Sequence, residues 1–139
     1  MSLGNILSRK VITASPKDSL AHVAKLMEQN NVGAVVITEK HRPVGIVTDR
    51  DLALGSLVRG FGSEEHVQTV MAYPVSTIHD DESILDATRQ MMELGVRRLP
   101  VVDKLEHLVG IVTFDDLLLL FGRELHNMSE GVRAEMSAR

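Results

Sequence analysis

A chain of 139 residues fits one compact domain or two small repeats that share a core, and 44% hydrophobic residues suffice to build that core. Aromatics make up only 3% (no Trp, one Tyr, three Phe), so aliphatic and Met side chains do the packing, and base-stacking platforms for single-stranded nucleic acid are not expected. The formal charge of −4 argues against a whole-protein grip on nucleic acid or an anionic membrane, and the absence of Cys excludes disulfides, zinc thiolates and cysteine nucleophiles.

In chain order, the opening MSLGNILSRK lacks the long apolar segment of a secretory leader, and its first residues are given no structural role. Residues 10–13 read as a short extended piece. A helix follows: Leu20, Val23, Ala24 and Met27 recur at i, i+3, i+4 and i+7, after start signals at Ser15, Pro16 and Asp18. Residues 34–38 and 44–48 are β-branched runs on either side of a polar turn, the pattern of a buried strand pair. A second helix is expected from Arg50 to about Val58, and Gly60, Gly62 and Ser63 mark a linker.

The same order then repeats. Val-Gly-Ile-Val-Thr at 44–48 returns unchanged at 109–113, and each copy is followed two residues later by Asp-Leu. Upstream, Val11, Thr13, Ser19, Met27 and Val32 match Val75, Thr77, Ser83, Met91 and Val96. The second copy predicts an extended piece at 74–78, a helix carrying Ile84, Ala87, Thr88 and Met91, strands at 99–102 and 108–113, and a helix from Phe114 to about Leu125. The boundaries read as repeat 1 at 6–60, linker at 61–69, repeat 2 at 70–126 and a tail at 127–139, the tail forming a short, poorly packed helix. One unit of about 50 residues cannot cover both faces of its small sheet, whereas two facing units can. The fold class expected is α/β (α+β) with an internal pseudo-twofold and related clefts between the copies.

Two segments carry a family resemblance. Gly-Ile-Val-Thr-x-x-Asp-Leu stands at 45–52 and again at 110–117, and Arg-Arg-Leu-Pro-Val-Val-Asp at 97–103. Together they resemble the CBS-domain family in its tandem arrangement, the Bateman module, over roughly residues 6–125. The resemblance implies two β-α-β-β-α units packed sheet to sheet. It also implies a regulatory, non-enzymatic module with no required cofactor. Its effector would be an adenosine-containing ligand: AMP, ADP, ATP, S-adenosylmethionine or NAD.

By that resemblance each cleft mixes the copies. The first would use Ile12, Val32 and Gly33 with Arg98, Ile111, Thr113 and Asp116. The second would use Ser76, Val96 and Arg97 with Ala34, Ile46, Thr48 and Asp51, with Arg50 as compensating cation. Asp51 and Asp116 would accept hydrogen bonds from the two ribose hydroxyls, which a carboxylate with two acceptor oxygens suits. Arg98 would meet phosphate, which a guanidinium matches in bidentate fashion. In the first cleft Gly33 would leave room for a flat base and Asp115 would repel phosphate; in the second, Arg97 would crowd the base slot.

Plainer readings stand beside these. An Asp in a first helical turn is favoured by the helix dipole alone, and Thr48 and Thr113 are ready helix caps. Arg97 and Arg98 could be solvated surface residues. The six His show no His-x-x-x-His or His-x-His spacing, so no metal site is expected. The apolar residues Leu117, Leu118, Leu120, Phe121 and Leu125 read as core or as a homodimer seam, with a partner-binding amphipathic helix as the rival. The longest apolar run, at 117–121, is far short of the roughly 20 residues that span a bilayer. The protein is therefore expected to be cytoplasmic, regulating an effector protein that its sequence does not name. The competing function is a structural dimerisation module with empty clefts.

Overall fold

A computed structural model of the protein describes residues 2–5 and 11–138. The first repeat contains β1 (Thr13–Ala14), α1 (Leu20–Asn30), β2 (Ala34–Glu39), β3 (Arg42–Thr48) and α2 (Asp49–Leu57). The second contains β4 (Ile78–His79), α3 (Ile84–Leu94), β5 (Arg98–Val102), β6 (Leu108–Thr113) and α4 (Phe114–Ala138). Each repeat forms its own three-stranded sheet, ordered β1-β2-β3 and β4-β5-β6, with the first pair parallel and the second antiparallel. The α+β class and the duplicated order are those the repeat predicts.

Local chemistry explains the element ends. Ser19 caps α1, its hydroxyl accepting from the His22 N–H at 3.1 Å. Ser15 and Asp18, taken as start signals, instead close the preceding turn, where the Ser15 N–H donates to Asp18 Oδ2 at 2.8 Å. Ser83 caps α3 in a capping box with Asp86. Asn31 and Gly95 end α1 and α3 in the left-handed region, at φ 51° and 67°, as helix C-terminal residues commonly do. The extended pieces expected at 10–13 and 74–78 pair later and for only two residues each, Thr13 with Val36 and Ala14 with Ile37, then Ile78 with Val101 and His79 with Val102. Lys10 and residues 6–9 lie outside the described residues.

Successive residues of β2 and β5 face opposite sides of their sheets up to a register shift at Ile37/Thr38 and at Val101/Val102. Val35 and Ile37 of β2 pack with Leu20, Val23 and Met27 of α1 in one core, and Leu99 and Val101 of β5 pack with Ile84, Ala87 and Met91 of α3 in the other. Val36 and Pro100, on the opposite faces, are buried as well, so both sides of each small sheet are covered. A direct link between repeats runs from the Leu108 N–H to the His41 carbonyl at 2.8 Å.

The stretch at 61–69, read as linker, belongs structurally to the first core. The Leu20 N–H donates to the Glu65 carbonyl and the Val67 N–H to the Asp18 carbonyl, and Val67 and Val70 are buried in that core. The opening residues mirror this on the other repeat. The Leu3 N–H donates to the Glu82 carbonyl, the Gly4 N–H donates to the Asp80 carbonyl, and Leu3 is fully buried in the second core. Each core is thus completed by the segment that leads into the other repeat.

The tail differs from its expectation too. Residues 127–138 are not a separate helix but the continuation of α4, a single helix of 25 residues. No Pro follows Pro100, and Gly122 and Gly131 weaken a helix without breaking it. No helix among the described residues is long and apolar enough to cross a membrane.

Candidate functional site

A cavity of about 260 Å³ opens between the repeats. One wall comes from repeat 1: Val11 and Ile12 ahead of β1, then Asn31, Val32 and Gly33 between α1 and β2, and Ala34 at the start of β2. The other comes from repeat 2: Arg97 and Arg98 entering β5, Ile111 and Thr113 on β6, and Asp115 and Asp116 in the first turn of α4. All seven residues expected in the first cleft line this one cavity.

The wall from repeat 2 is shaped by a helix start. Thr113 ends β6, and its hydroxyl oxygen accepts from the Asp116 N–H at 3.1 Å. That cap turns the chain and fixes where the Asp116 side chain begins. An accepting hydroxyl still carries its own O–H to donate, so capping and ligand contact are compatible roles for Thr113. Arg98 is half-buried at the cavity wall, and its guanidinium makes no ion pair among the described residues. On the facing wall, Ile12 and Val32 supply an apolar surface beside Gly33.

Arg97 differs from its expected place. Its Nη2 donates to Asp115 Oδ1 at 2.9 Å, and its guanidinium carbon sits 5.1 Å from the centre of the Phe114 ring. Held by two neighbours of its own repeat, it lines the first cavity instead of standing apart from it. Asp115 is consequently paired, and the repulsion it was expected to exert on an anion there is offset by Arg97. Gly33 also has a second reason to be Gly: a Cβ there would lie 3.3 Å from Asp49 Oδ2 at the start of α2. Val11 and Asn31 were missed as lining residues. The signal for Asn31 was its place after α1, where Asn commonly adopts the left-handed conformation that reverses the chain toward β2.

A family model for the CBS domain matches residues 3–56 and 67–123. The chain belongs to the CBS-domain family. The CBS domain-containing protein YhcV of Bacillus subtilis is 35% identical over 130 residues, covering 94% of this chain and 90% of that protein. An uncharacterized protein of Methanopyrus kandleri is 38% identical over 120 residues, covering 85% of this chain, which spans only 61% of that protein. Among solved structures, the CBS domain pair of MJ0100, in complex with 5′-methylthioadenosine and S-adenosyl-L-methionine, superposes with a TM-score of 0.78 at 30% identity, covering 89% of this chain and 98% of that one.

In the second CBS repeat pairing the set is more dispersed. Thr48 and Asp51 form a reciprocal capping box: the Asp51 N–H donates to Thr48 Oγ1 at 3.2 Å, and the Thr48 N–H donates to Asp51 Oδ2 at 2.9 Å. One Asp51 oxygen is therefore engaged at the helix start. Ile46 bridges to Ala72, and Arg50 is exposed. Ser76 is exposed and lines a depression with Thr77, Glu82, Asp86 and Arg89, while Val96 is 37% exposed. Arg97 and Ala34, assigned to this cleft from sequence, line the first cavity. No group of three or more His, Asp or Glu among the described residues is placed to hold a metal ion.

Proposed function

We propose that this chain is a regulatory sensor of an adenosine-containing small molecule bound in the cavity between its CBS repeats. The observation that carries the reading is the convergence of complementary groups on one cavity: an apolar slot of Ile12 and Val32 with an open Gly33, facing Thr113, Asp116 and Arg98. The base would occupy the slot, the ribose hydroxyls would donate to Asp116, and Arg98 would meet an anionic substituent of the ligand. At about 260 Å³ the cavity is just below the roughly 300–1,000 Å³ of drug-sized sites, which favours a single nucleoside unit over a dinucleotide. The ligands of the MJ0100 domain pair support the adenosine class. The proposal assigns no catalytic step to the chain. Occupancy of the cleft would be read by an effector protein, with the module working as a cytoplasmic homodimer.

The test is thermal denaturation with AMP, ADP, ATP, S-adenosylmethionine and NAD at millimolar concentration. A ligand that binds only the folded state raises stability by about 2.7 kcal/mol at a hundredfold excess over Kd. At least one single-nucleoside ligand is expected to raise Tm by several degrees. An unchanged Tm with all five would overturn the sensor reading and leave a structural module with empty clefts.

A further inference from the structure

We infer that the exposed stripe along α4 is a parallel helix–helix seam for a second copy of this chain. The inference deepens the homodimer reading above by naming its surface, and it is independent of the ligand. With about 100° per residue, Leu118, Leu125, Val132 and Met136 fall within roughly 20° of one line along the helix. Their exposures are 56%, 66%, 56% and 66%. Phe121 and Met128 border the line on one side, and Gly122 and Ser129 on the other. No ionisable side chain lies within about 60° of it.

This stripe is not the face that packs on the chain's own domain. Leu117, 1% exposed, and Leu120, packed on the second core, lie about 80° and 140° round the helix. Of the two readings of this stripe, core or dimer seam, Leu117 takes the first: it is an intrachain core residue, and Phe121 is partly one. Beyond Phe121 every described residue of α4 is exposed. A helix end that carries Gly122, Ser129 and Gly131 and touches no core is marginal in water by itself. A continuous apolar line on such a helix is stabilised by burial against another surface.

The charges beside the stripe identify that surface. Arg133 and Glu135 stand about 80° to opposite sides of the line, and His126 and Glu124 about 100° to opposite sides. In a parallel twofold pair, opposite flanks of the two helices meet. Arg133 then faces the second copy's Glu135, and His126 faces its Glu124, each contact made twice. An antiparallel pair brings like flanks together, Glu124 beside Glu135 and Arg133 beside His126. The contact of Arg133 with Glu130 of its own helix, at 3.2 Å, is exposed and readily exchanged.

Light scattering on the full chain should give twice the 15.3 kDa chain mass at micromolar concentration. Leu125→Glu with Val132→Glu should raise the dimer dissociation constant at least tenfold, with the circular dichroism of the two repeats retained. Because the chain has no Cys, Val132→Cys reports orientation cleanly. In the parallel seam Val132 meets its own copy and oxidation should cross-link the pair. A dimer that survives the double Glu variant, or fails to cross-link through Val132→Cys, overturns the seam but leaves the homodimer reading standing. A monomeric parent chain overturns both.

Discussion

Replacing Arg98 with Ala should weaken AMP about tenfold to a hundredfold while leaving adenosine nearly untouched. Arg98 is half-buried on the cavity wall and makes no ion pair among the described residues, so its charge is available to a ligand. A charge-assisted hydrogen bond contributes about 1.5–3 kcal/mol, which is that range of affinity. The opposing charge is Asp115, but it is bridged by Arg97 at 2.9 Å. That pair is exposed, 68% and 74%, and at physiological salt a Debye length of about 8 Å screens it further. Calorimetry with AMP and with adenosine separates the phosphate contribution from the rest. Asp116→Ala should weaken both ligands, and Asp51→Ala should spare this binding event. Equal losses of AMP and adenosine in Arg98→Ala would show that Arg98 does not meet the phosphate. Retention of AMP affinity in Asp116→Ala with loss in Asp51→Ala would move the tighter site to the other cleft.

Three further outcomes follow from the packing and the charges. Gly55→Ala should lower Tm, because its Cβ would stand 2.6 Å from Cγ1 of Val70, a stiff β-branched side chain; overpacking costs about 1–3 kcal/mol against about 1 kcal/mol gained in helix propensity. Gly131→Ala, with nothing within 4 Å, should raise helix stability, and calorimetric melts compare the two. The His79 ring is hydrogen-bonded to Glu106 at 2.7 Å, which holds its pKa above the ordinary 6.5. A raised folded pKa means that this contact stabilises fully below pH 6.5 and is lost as pH rises through the folded value. Imidazole proton NMR of the parent chain and Glu106→Gln should show His79 shifting back toward 6.5 in the variant, and an unmoved titration would refute the assignment.

The repeat was legible because it is written in side-chain periodicity. The i, i+3, i+4, i+7 spacing of α1 and α3 reports a one-sided environment and the β-branched runs of β2, β3 and β6 report strands of a covered sheet, and those environments are what the fold supplies. The first cleft was legible for a related reason: Thr113, three residues before Asp116, sets a helix start, and a helix start fixes side-chain position over short range. Arg97 was misplaced because its direction is set by Phe114 and Asp115, 17 and 18 residues away in sequence but adjacent across β5 and β6. No local pattern encodes which of two clefts such a long side chain enters.

The segments ahead of each repeat were hidden for the opposite reason. Leu3 and Val67 sit in short segments where periodicity has too few points to register. Yet each is fully buried, and each completes the core of the repeat it does not introduce. The exchange means that neither core is built from its own repeat alone. Burying Leu3 draws the start of the chain onto repeat 2, and burying Val67 draws the start of repeat 2 onto repeat 1. The cavity lies between the same two units, with Ile12 nine residues after Leu3 and Arg98 and Asp116 in the repeat that Leu3 helps to close. The two buried aliphatic anchors thus tie the repeats together beside the cavity whose walls the same two repeats supply.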